Sequence, residues 1–290
     1  MTLPLQTIIY GIAFLVLAPV AGGLIAGIDR RITARMQGRI GPPLLQPFYD
    51  VGKLFEKENL QVHTSQQFYI LCYLVFMAIT GILFATGQDF LLVIFALTLA
   101  EIFIVLGAFA AHSPYSHIGA ERELIQIMAF EPMIILTAAG MYLVTKSFYI
   151  RDIAASTVPL IMLLPGLFVG LVYVITIKLR KSPFDISTSH HAHQEIVKGV
   201  TTDFSGPTLG MIEVAHWYET VLLLGIVYLF FAWNPIIGIL ALVIVYLGEI
   251  FADNTCARVR WQLALKSSWL ITLVLGILNL GALYLMKGVI

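Results

Sequence analysis

Charged residues are scarce in this sequence of 290 residues. Lys, Arg, Asp and Glu make up 12% of it, whereas hydrophobic residues make up 59%. A soluble globular domain carries about 25% charged residues, so the composition excludes an ordinary soluble domain. The window 267–286 has no Asp, Glu, Lys, Arg or His, and about 20 apolar residues cross a hydrocarbon core of ~30 Å. The composition therefore predicts an all-α, polytopic integral membrane protein.

Cysteine is nearly absent as well. The two cysteines, Cys72 and Cys256, are far apart and outside any Cys-x-x-Cys spacing. An iron–sulfur cluster, a thiolate-bound nickel ion or a structural zinc ion needs several thiolates at defined spacings. The sequence also lacks a glycine-rich phosphate loop and a nucleophile elbow. We therefore expect no cofactor or metal in this chain and assign any redox chemistry to partner subunits.

The amino-terminal segment has no basic residues, which a signal peptide would have. The first charged residue is Asp29, after a long apolar stretch, so we expect a retained first span. In all, eight hydrophobic windows predict transmembrane helices within one transmembrane domain, residues 1–290. The windows cover approximately residues 4–28, 66–86, 90–111, 122–145, 158–178, 211–232, 235–252 and 267–287.

The basic residues are distributed unevenly between the predicted loops. Of seventeen Lys and Arg residues, fourteen follow spans 1, 3, 5 and 7, while Lys146, Arg151 and Lys287 lie on the other side. Cytoplasmic loops carry the excess of Lys and Arg. The long, odd-numbered loops are therefore predicted to be cytoplasmic, with both termini outside.

Several carboxylic acids interrupt the apolar windows. A charged carboxylate at bilayer depth costs several kcal/mol, so such residues usually face protein or water and mark ion or proton paths. Burial and neighbouring carboxylates also raise the pKa of a carboxyl group, which favours proton exchange. The acids concerned are Glu101, Glu123, Glu131, Glu213, Glu219 and Glu249.

Span 6 contains the most explicit pattern of ionisable residues. Glu213, His216 and Glu219 are spaced i, i+3 and i+6, which places them on a 120° stripe of one helix face. Two carboxyl groups with an imidazole between them can pass a proton by side-chain rotation. The alternative is that His216 and Glu219 pair with each other or with a neighbouring subunit. We favour the relay.

The two acids of span 4 differ in their expected roles. Glu123 follows Arg122 near a predicted cytoplasmic end, so a simple interfacial salt bridge is the favoured interpretation. Glu131 lies deeper, and Pro132 after it frees a backbone carbonyl one turn back. That break could open a polar pocket, so we favour a functional role for Glu131.

The remaining two acids leave both interpretations open. Glu101 is a lone acid in span 3, and structural and functional roles are equally compatible with its position. Glu249 in span 7 could pair with Arg258 or Arg260 at the inner surface, and a structural role is slightly favoured.

The loop before span 6 contains three histidines, His190, His191 and His193, in the sequence HHAHQE. They follow no zinc spacing, so a metal site is disfavoured against a solvated or subunit-contacting loop. Glu195 and Asp203 come next and precede a Ser-Gly-Pro turn that directs them toward span 6. We interpret them as a funnel of acids leading from the cytoplasm into that span.

Three motifs resemble the NuoH-like membrane subunit of respiratory complex I. They are ARMQGRIGPPLLQPFYDVGKLFEKE (34–58), SPFD (182–185) and the pattern of Glu195 with Asp203-Phe204-Ser205-Gly206. The segments GAERELIQIMAFEP (119–132), HHAHQE and IEVAHWYE (212–219) are more similar to the branch of group 4 membrane-bound [NiFe] hydrogenases of the energy-converting, Ech type. The departures from the complex I pattern put a quinone site in doubt.

The resemblance implies a non-catalytic, membrane-anchoring and ion-coupling subunit of an oxidoreductase complex in a prokaryotic plasma membrane. Such a complex links ferredoxin and H2 chemistry in a cytoplasmic arm to H⁺ or Na⁺ translocation. The [NiFe] centre and [4Fe-4S] clusters would lie in partners. Those partners would be the hydrophilic large and small hydrogenase subunits, an iron–sulfur subunit and an antiporter-like membrane subunit; no nucleic acid is expected.

The resemblance also assigns residues. The first, amphipathic cytoplasmic loop would dock against the redox arm through Arg35, Arg39, Asp50 and Lys53, together with Asp185 of the SPFD motif. Glu131, Glu195 and Asp203 match acids of the ion path, and the span-6 glutamate of the family falls at His216. Two alternatives stay open: a quinone-site subunit of complex I or a related dehydrogenase, and a stand-alone transporter.

Overall fold

A computed structural model of the chain describes residues 5–58, 64–111, 113–187 and 198–287. The regular structure of these ranges is helical apart from one isolated bridge between Asp89 and Tyr149, which confirms the predicted fold class. The α-helices are α1 (Leu5–Met36), α2 (Gln46–Glu56), α3 (Thr64–Ala85), α4 (Phe90–Phe109), α5 (Pro114–Thr145), α6 (Ile150–Ala154), α7 (Leu160–Leu163), α8 (Pro165–Lys178), α9 (Gly206–Leu229), α10 (Pro235–Thr255), α11 (Trp261–Ile271) and α12 (Leu278–Lys287).

Seven helical segments in the described ranges are long and apolar enough to cross a membrane, and α8 is a shorter apolar helix. The predicted fifth span, 158–178, is therefore not one continuous helix. It divides at Leu164, whose φ is −123° and ψ is 42°, because Pro165 has no N–H to continue α7. The 14 residues of α8 cover about 21 Å, less than the ~30 Å hydrocarbon core.

Three other spans begin earlier than hydropathy predicts. The α5 helix begins at Pro114 rather than at residue 122, and α9 begins at Gly206 rather than at residue 211. The last span begins at Trp261 and contains a π-helical stretch, Thr272–Ile277. Hydropathy detects only the apolar part of a helix, which lies in the hydrocarbon core. The helical backbone hydrogen bonds continue through the polar residues beyond it.

The helices form a central group and a periphery. The most apolar window of α9 is 61% buried within the protein, whereas that of α10 is 17% buried. The core joins α3, α4, α5, α8 and α9. The exposed apolar faces of α1 and α10 are suited to lipid, which supplies no drive for further helix association.

Small residues on α1 set the position of the first loop. A side chain at Gly23 would overlap the ring of Phe48, and one at Gly27 would overlap the carbonyl oxygen of Leu44. The spacing Gly23-x-x-x-Gly27 therefore admits the start of α2 directly against α1, as small residues do at close helix contacts in membranes. This contact holds α2 across the end of α1.

Candidate functional site

The end of α8 brings two basic side chains into the helix bundle. Lys178 is the last residue of α8 and is 3% exposed. Arg180 follows in the left-handed region, with φ of 53°, and its backbone N–H donates to the carbonyl of Ile177 at 3.1 Å. A non-glycine residue pays about 1 kcal/mol or more for that conformation. The turn brings the side chains of both residues into one polar region.

Three buried carboxylates from different helices meet these cations. Glu101 of α4 contacts Lys178 Nζ. Glu219 of α9 lies between the cations, with Oε1 3.3 Å from Lys178 Nζ and Oε2 3.5 Å from Arg180 Nη1. Glu123 of α5 is bound at both oxygens, 2.5 Å from Arg180 Nη2 and 3.3 Å from its Nε. We call these five residues the charge cluster.

The charge cluster has unequal numbers of acids and bases. Its three carboxylates and two cations leave a net charge of −1 when all are ionised. Burial lowers the pKa of the Arg180 guanidinium, but Glu123 and Glu219 outweigh burial and hold that pKa above its usual range, so Arg180 stays charged. A buried net charge is unfavourable. The cluster is therefore suited to gain and lose one proton.

A cavity of about 230 Å³ adjoins the charge cluster. Glu213, His216 and Glu219 all line it, together with Thr201 and Thr220, so the span-6 stripe faces one polar space. The Nε2 atom of His216 is buried and has no hydrogen-bond partner among the described residues. The space is large enough for several water molecules. Glu219 thus belongs to both the cluster and the cavity.

Glu123 and Glu131 of α5 have different surroundings. Glu123 pairs with Arg180 inside the bundle, not with Arg122, whose Nη1 donates to the carbonyl of Ile186 at 3.3 Å. Neighbouring residues on a helix point in different directions, so an adjacent pair is a poor guide to contact. Glu131 lies eight residues beyond Glu123, about 12 Å along the helix. It is half-buried and forms no ion pair with the charge cluster in the described part of the chain.

Glu249 belongs to a second polar group, at the end of α10 near α1. It is 3% exposed and lies beside Lys181, whose Nζ is 2.7 Å from Asp29 Oδ2. The hydroxyl of Tyr246 donates to the same oxygen at 3.2 Å. Arg258, one of the two suggested partners of Glu249, binds Asp185 at 2.7 Å. Glu249 is thus a neighbour of Lys181, because α10 directs it inward.

The acids of the loop before α9 are only partly described. Asp203 is half-buried, and its Oδ2 atom accepts no hydrogen bond from a described residue. Glu195 and the histidines at 190, 191 and 193 lie outside the described residues. Elsewhere in the described ranges, no group of three or more His, Cys, Asp or Glu side chains could hold a metal ion.

The docking residues of the first loop have different environments. Arg35 and Lys53 are exposed, whereas Asp50 accepts from Arg30 at 2.6 Å and from Gln46 at 2.8 Å. Burial raises the pKa of Asp50, but the bonds from Gln46 and Arg30 outweigh it and lower that pKa overall. Arg39 is exposed and donates to the side chain of the nearby Gln37. Asp50 therefore stabilises the loop itself.

Sequence reasoning missed the two basic members of the charge cluster. Lys178 and Arg180 were counted as ordinary cytoplasmic loop charges, because they follow the last apolar residue of a span. The signal that could have identified them is the presence of Glu101, Glu213 and Glu219 in spans 3 and 6, which contain no Lys or Arg. Buried charges need partners, and the nearest cations in sequence were those at span ends.

Comparisons with known proteins give a consistent picture. The sequence profile of a family described as NADH dehydrogenase matches residues 8–284. Hydrogenase-4 component C of Escherichia coli (strain K12) is 27% identical, over 91% of this chain and 92% of that protein. A membrane component of the NADH-quinone oxidoreductase of Syntrophotalea carbinolica, its H chain, is 27% identical, over 87% of each chain. A chain of the membrane-bound sulfane sulfur reductase, an archaeal respiratory membrane complex, superimposes with a TM-score of 0.81 at 25% identity, covering 95% of this chain and all of that one.

Proposed function

This chain belongs to the NADH dehydrogenase family, and we propose that it is the membrane-anchoring, ion-coupling subunit of an energy-converting [NiFe] hydrogenase complex. Its role would be to link ferredoxin and H2 chemistry in a cytoplasmic arm to H⁺ or Na⁺ translocation across the plasma membrane. The resemblance of the sequence to the hydrogenase branch and the similarity to hydrogenase-4 component C support this choice. The [NiFe] and [4Fe-4S] centres would belong to partner subunits.

The charge cluster is the observation that carries the proposal. A buried set of three acids and two bases beside a cavity that can hold several water molecules can take up one additional proton. Movement of either cation away from Glu219 would raise the proton affinity of that carboxyl, because a nearby positive charge favours its ionised form. A displacement at the end of α8 would thereby become proton uptake or release.

The segment that follows α8 supplies a route for such a displacement. Its residues are attached to elements near the first loop: Lys181 binds Asp29 of α1 at 2.7 Å, and Asp185 binds Arg258 after α10 at 2.7 Å. The backbone N–H of Ser182 also donates to Asp253 at 2.8 Å. A redox arm that binds the first loop and the 182–187 segment would therefore pull on the backbone that carries Lys178 and Arg180.

The test uses the purified complex reconstituted in liposomes, with the variant Glu219→Gln. We expect ferredoxin-dependent H2 formation to persist while ion transport per H2 falls by a factor of ten or more, because the amide cannot exchange the proton. Glu121→Gln is the matched control, since Glu121 is on α5 but exposed, 3.7 Å from His117. Unchanged transport in an assembled Glu219→Gln complex would refute the coupling role.

A quinone-site role in a complex I-type enzyme is the second candidate, because similarity to the NADH-quinone oxidoreductase of Syntrophotalea carbinolica supports it. Activity assays of the same purified complex distinguish the two functions. A hydrogenase complex forms H2 from reduced ferredoxin without added quinone, whereas a quinone-reducing complex needs a quinone acceptor and is blocked by quinone analogues.

A further inference from the structure

A lateral cleft extends along α1, α3, α9 and α10 toward the turn between α3 and α4. Its volume is about 900 Å³, near the upper end of the ~300–1,000 Å³ that small-molecule sites occupy. Its walls are apolar where the helices separate, with Ala21, Ile25 and Leu242 among the lining residues. The distance along α1 from Tyr10 to Ile25 is about 22 Å, longer than the ~15 Å of one hydrocarbon leaflet.

The mouth of the cleft is polar and is at the end of the bundle opposite Arg180. Gln6, Gln88 and Arg151 lie there, next to the turn that joins α3 to α4. The start of α6 is fixed to that turn, because the N–H groups of Ile150 and Arg151 donate to the carbonyls of Gln88 and Gly87 at 3.0 and 3.3 Å. Backbone hydrogen bonds therefore fix the position of the polar mouth.

Arg151 provides a positive charge at this mouth. Its side chain is 80% exposed, and its Nε lies 3.6 Å from Asp152 Oδ1, beyond hydrogen-bonding distance. The other oxygen of Asp152 accepts from Ser147 at 2.7 Å. An exposed pair at that separation is weak, so the guanidinium can bind an anion, and phosphate suits its planar set of donors.

We propose that this cleft binds an anionic phospholipid, with an acyl chain between α1, α9 and α10 and the headgroup phosphate on Arg151. The apolar interior of the cleft suits an acyl chain, the polar mouth suits the headgroup, and the guanidinium of Arg151 suits its phosphate. The lining of an empty apolar cleft lacks partners for dispersion contacts. The lipid of the surrounding membrane is an apolar molecule that can supply them. An isoprenoid quinone fits less well, because the mouth is at the opposite end from the first loop and its docking residues.

The test measures phospholipids that stay bound to the purified complex, by native mass spectrometry and lipid extraction. Phosphatidylglycerol is then added back to delipidated complex, and thermal stabilisation is followed. We expect one retained anionic phospholipid, and its loss in Ala21→Phe, which fills the cleft. Leu17→Phe is the control, because Leu17 is 62% exposed on the same helix and does not line the cleft.

The headgroup contact has its own variant. Arg151→Gln should weaken the phosphatidylglycerol effect about fivefold, as expected for one basic residue near a lipid phosphate. Lys146 is an exposed basic residue directly after α5, five residues before Arg151. The variant Lys146→Gln should leave the phosphatidylglycerol effect unchanged. Equal retention in Ala21→Phe and the unaltered complex, retention of an isoprenoid quinone instead, or a partner helix cross-linked into the cleft would each overturn the proposal.

Discussion

The pair of Glu123 and Arg180 allows the energetics of the charge cluster to be tested directly. Replacing Arg180 with Met removes the cation that binds both oxygens of Glu123 and one oxygen of Glu219. Breaking a buried ion pair by removing one partner costs about 3–5 kcal/mol, because a buried charge is left without compensation. We therefore expect a loss of this size in the free energy of unfolding of the Arg180→Met variant in detergent micelles.

The double variant separates this electrostatic cost from lost packing. Replacing Glu123 with Gln in the Arg180→Met background removes the orphaned charge, so we expect the double variant to regain a large part of the lost stability. The coupling energy from the double-mutant cycle should exceed about 1.5 kcal/mol, within the ~0.5–3 kcal/mol range for residues in contact. Equal and additive losses from the two substitutions would refute the argument that the cluster is electrostatically coupled.

An exposed pair provides the matched control. Arg30 and Asp50 are 2.6 Å apart, but their side chains are 45% and 40% exposed. Exposed pairs contribute only ~0.2–1 kcal/mol. The same cycle at Arg30 and Asp50 should therefore give a much smaller coupling energy, and a value as large as that of the buried pair would show that burial is not the deciding factor.

Two further predictions concern the first loop. Gly27→Ile should displace α2 and lower the yield of assembled complex severalfold, since a side chain at this position would overlap a backbone carbonyl. Gly52→Ala is the control, because a side chain there would meet no atom within 4 Å. Equal yields of the two variants would contradict the packing argument. Asp50→Asn should destabilise the chain more at pH 7 than at pH 3. The folded-state pKa of Asp50 is lowered, so its carboxylate contributes to the free energy of unfolding above its unfolded pKa of about 4. This contribution is lost as pH falls through the folded-state pKa. An equal loss of stability at both pH values would refute the predicted pH dependence.

Hydropathy was sufficient for the fold, because lipid imposes a simple rule on sequence. A spanning segment must be apolar over its length and must satisfy its backbone internally, which only a helix does in an open chain. The predicted spans therefore coincide with helices, and the main discrepancy is the break at Leu164. The polar starts of α5 and α9 were missed because water and protein contacts, not lipid, govern those turns.

The charge cluster could be predicted only in part. The periodicity of Glu213, His216 and Glu219 is a property of one helix, so the sequence alone shows that they share a face. The partners of Glu219 depend on how α4 and α8 are placed beside α9, and that arrangement arises from long-range packing. For the same reason Glu131, which has a suggestive proline beside it, is absent from the cluster, while Glu101 is within it.

The location of the two cations gives the cluster its functional interest. Lys178 and Arg180 are at the end of a short helix that begins at a proline break, and the segment after them is attached to α1 and to the residues following α10. The carboxylates, by contrast, are on three long helices of the core. A small change in the distance between these cations and the carboxylates would change the proton affinity of the acids, because the interaction of two charges depends on their separation and is strong in a medium of low dielectric constant.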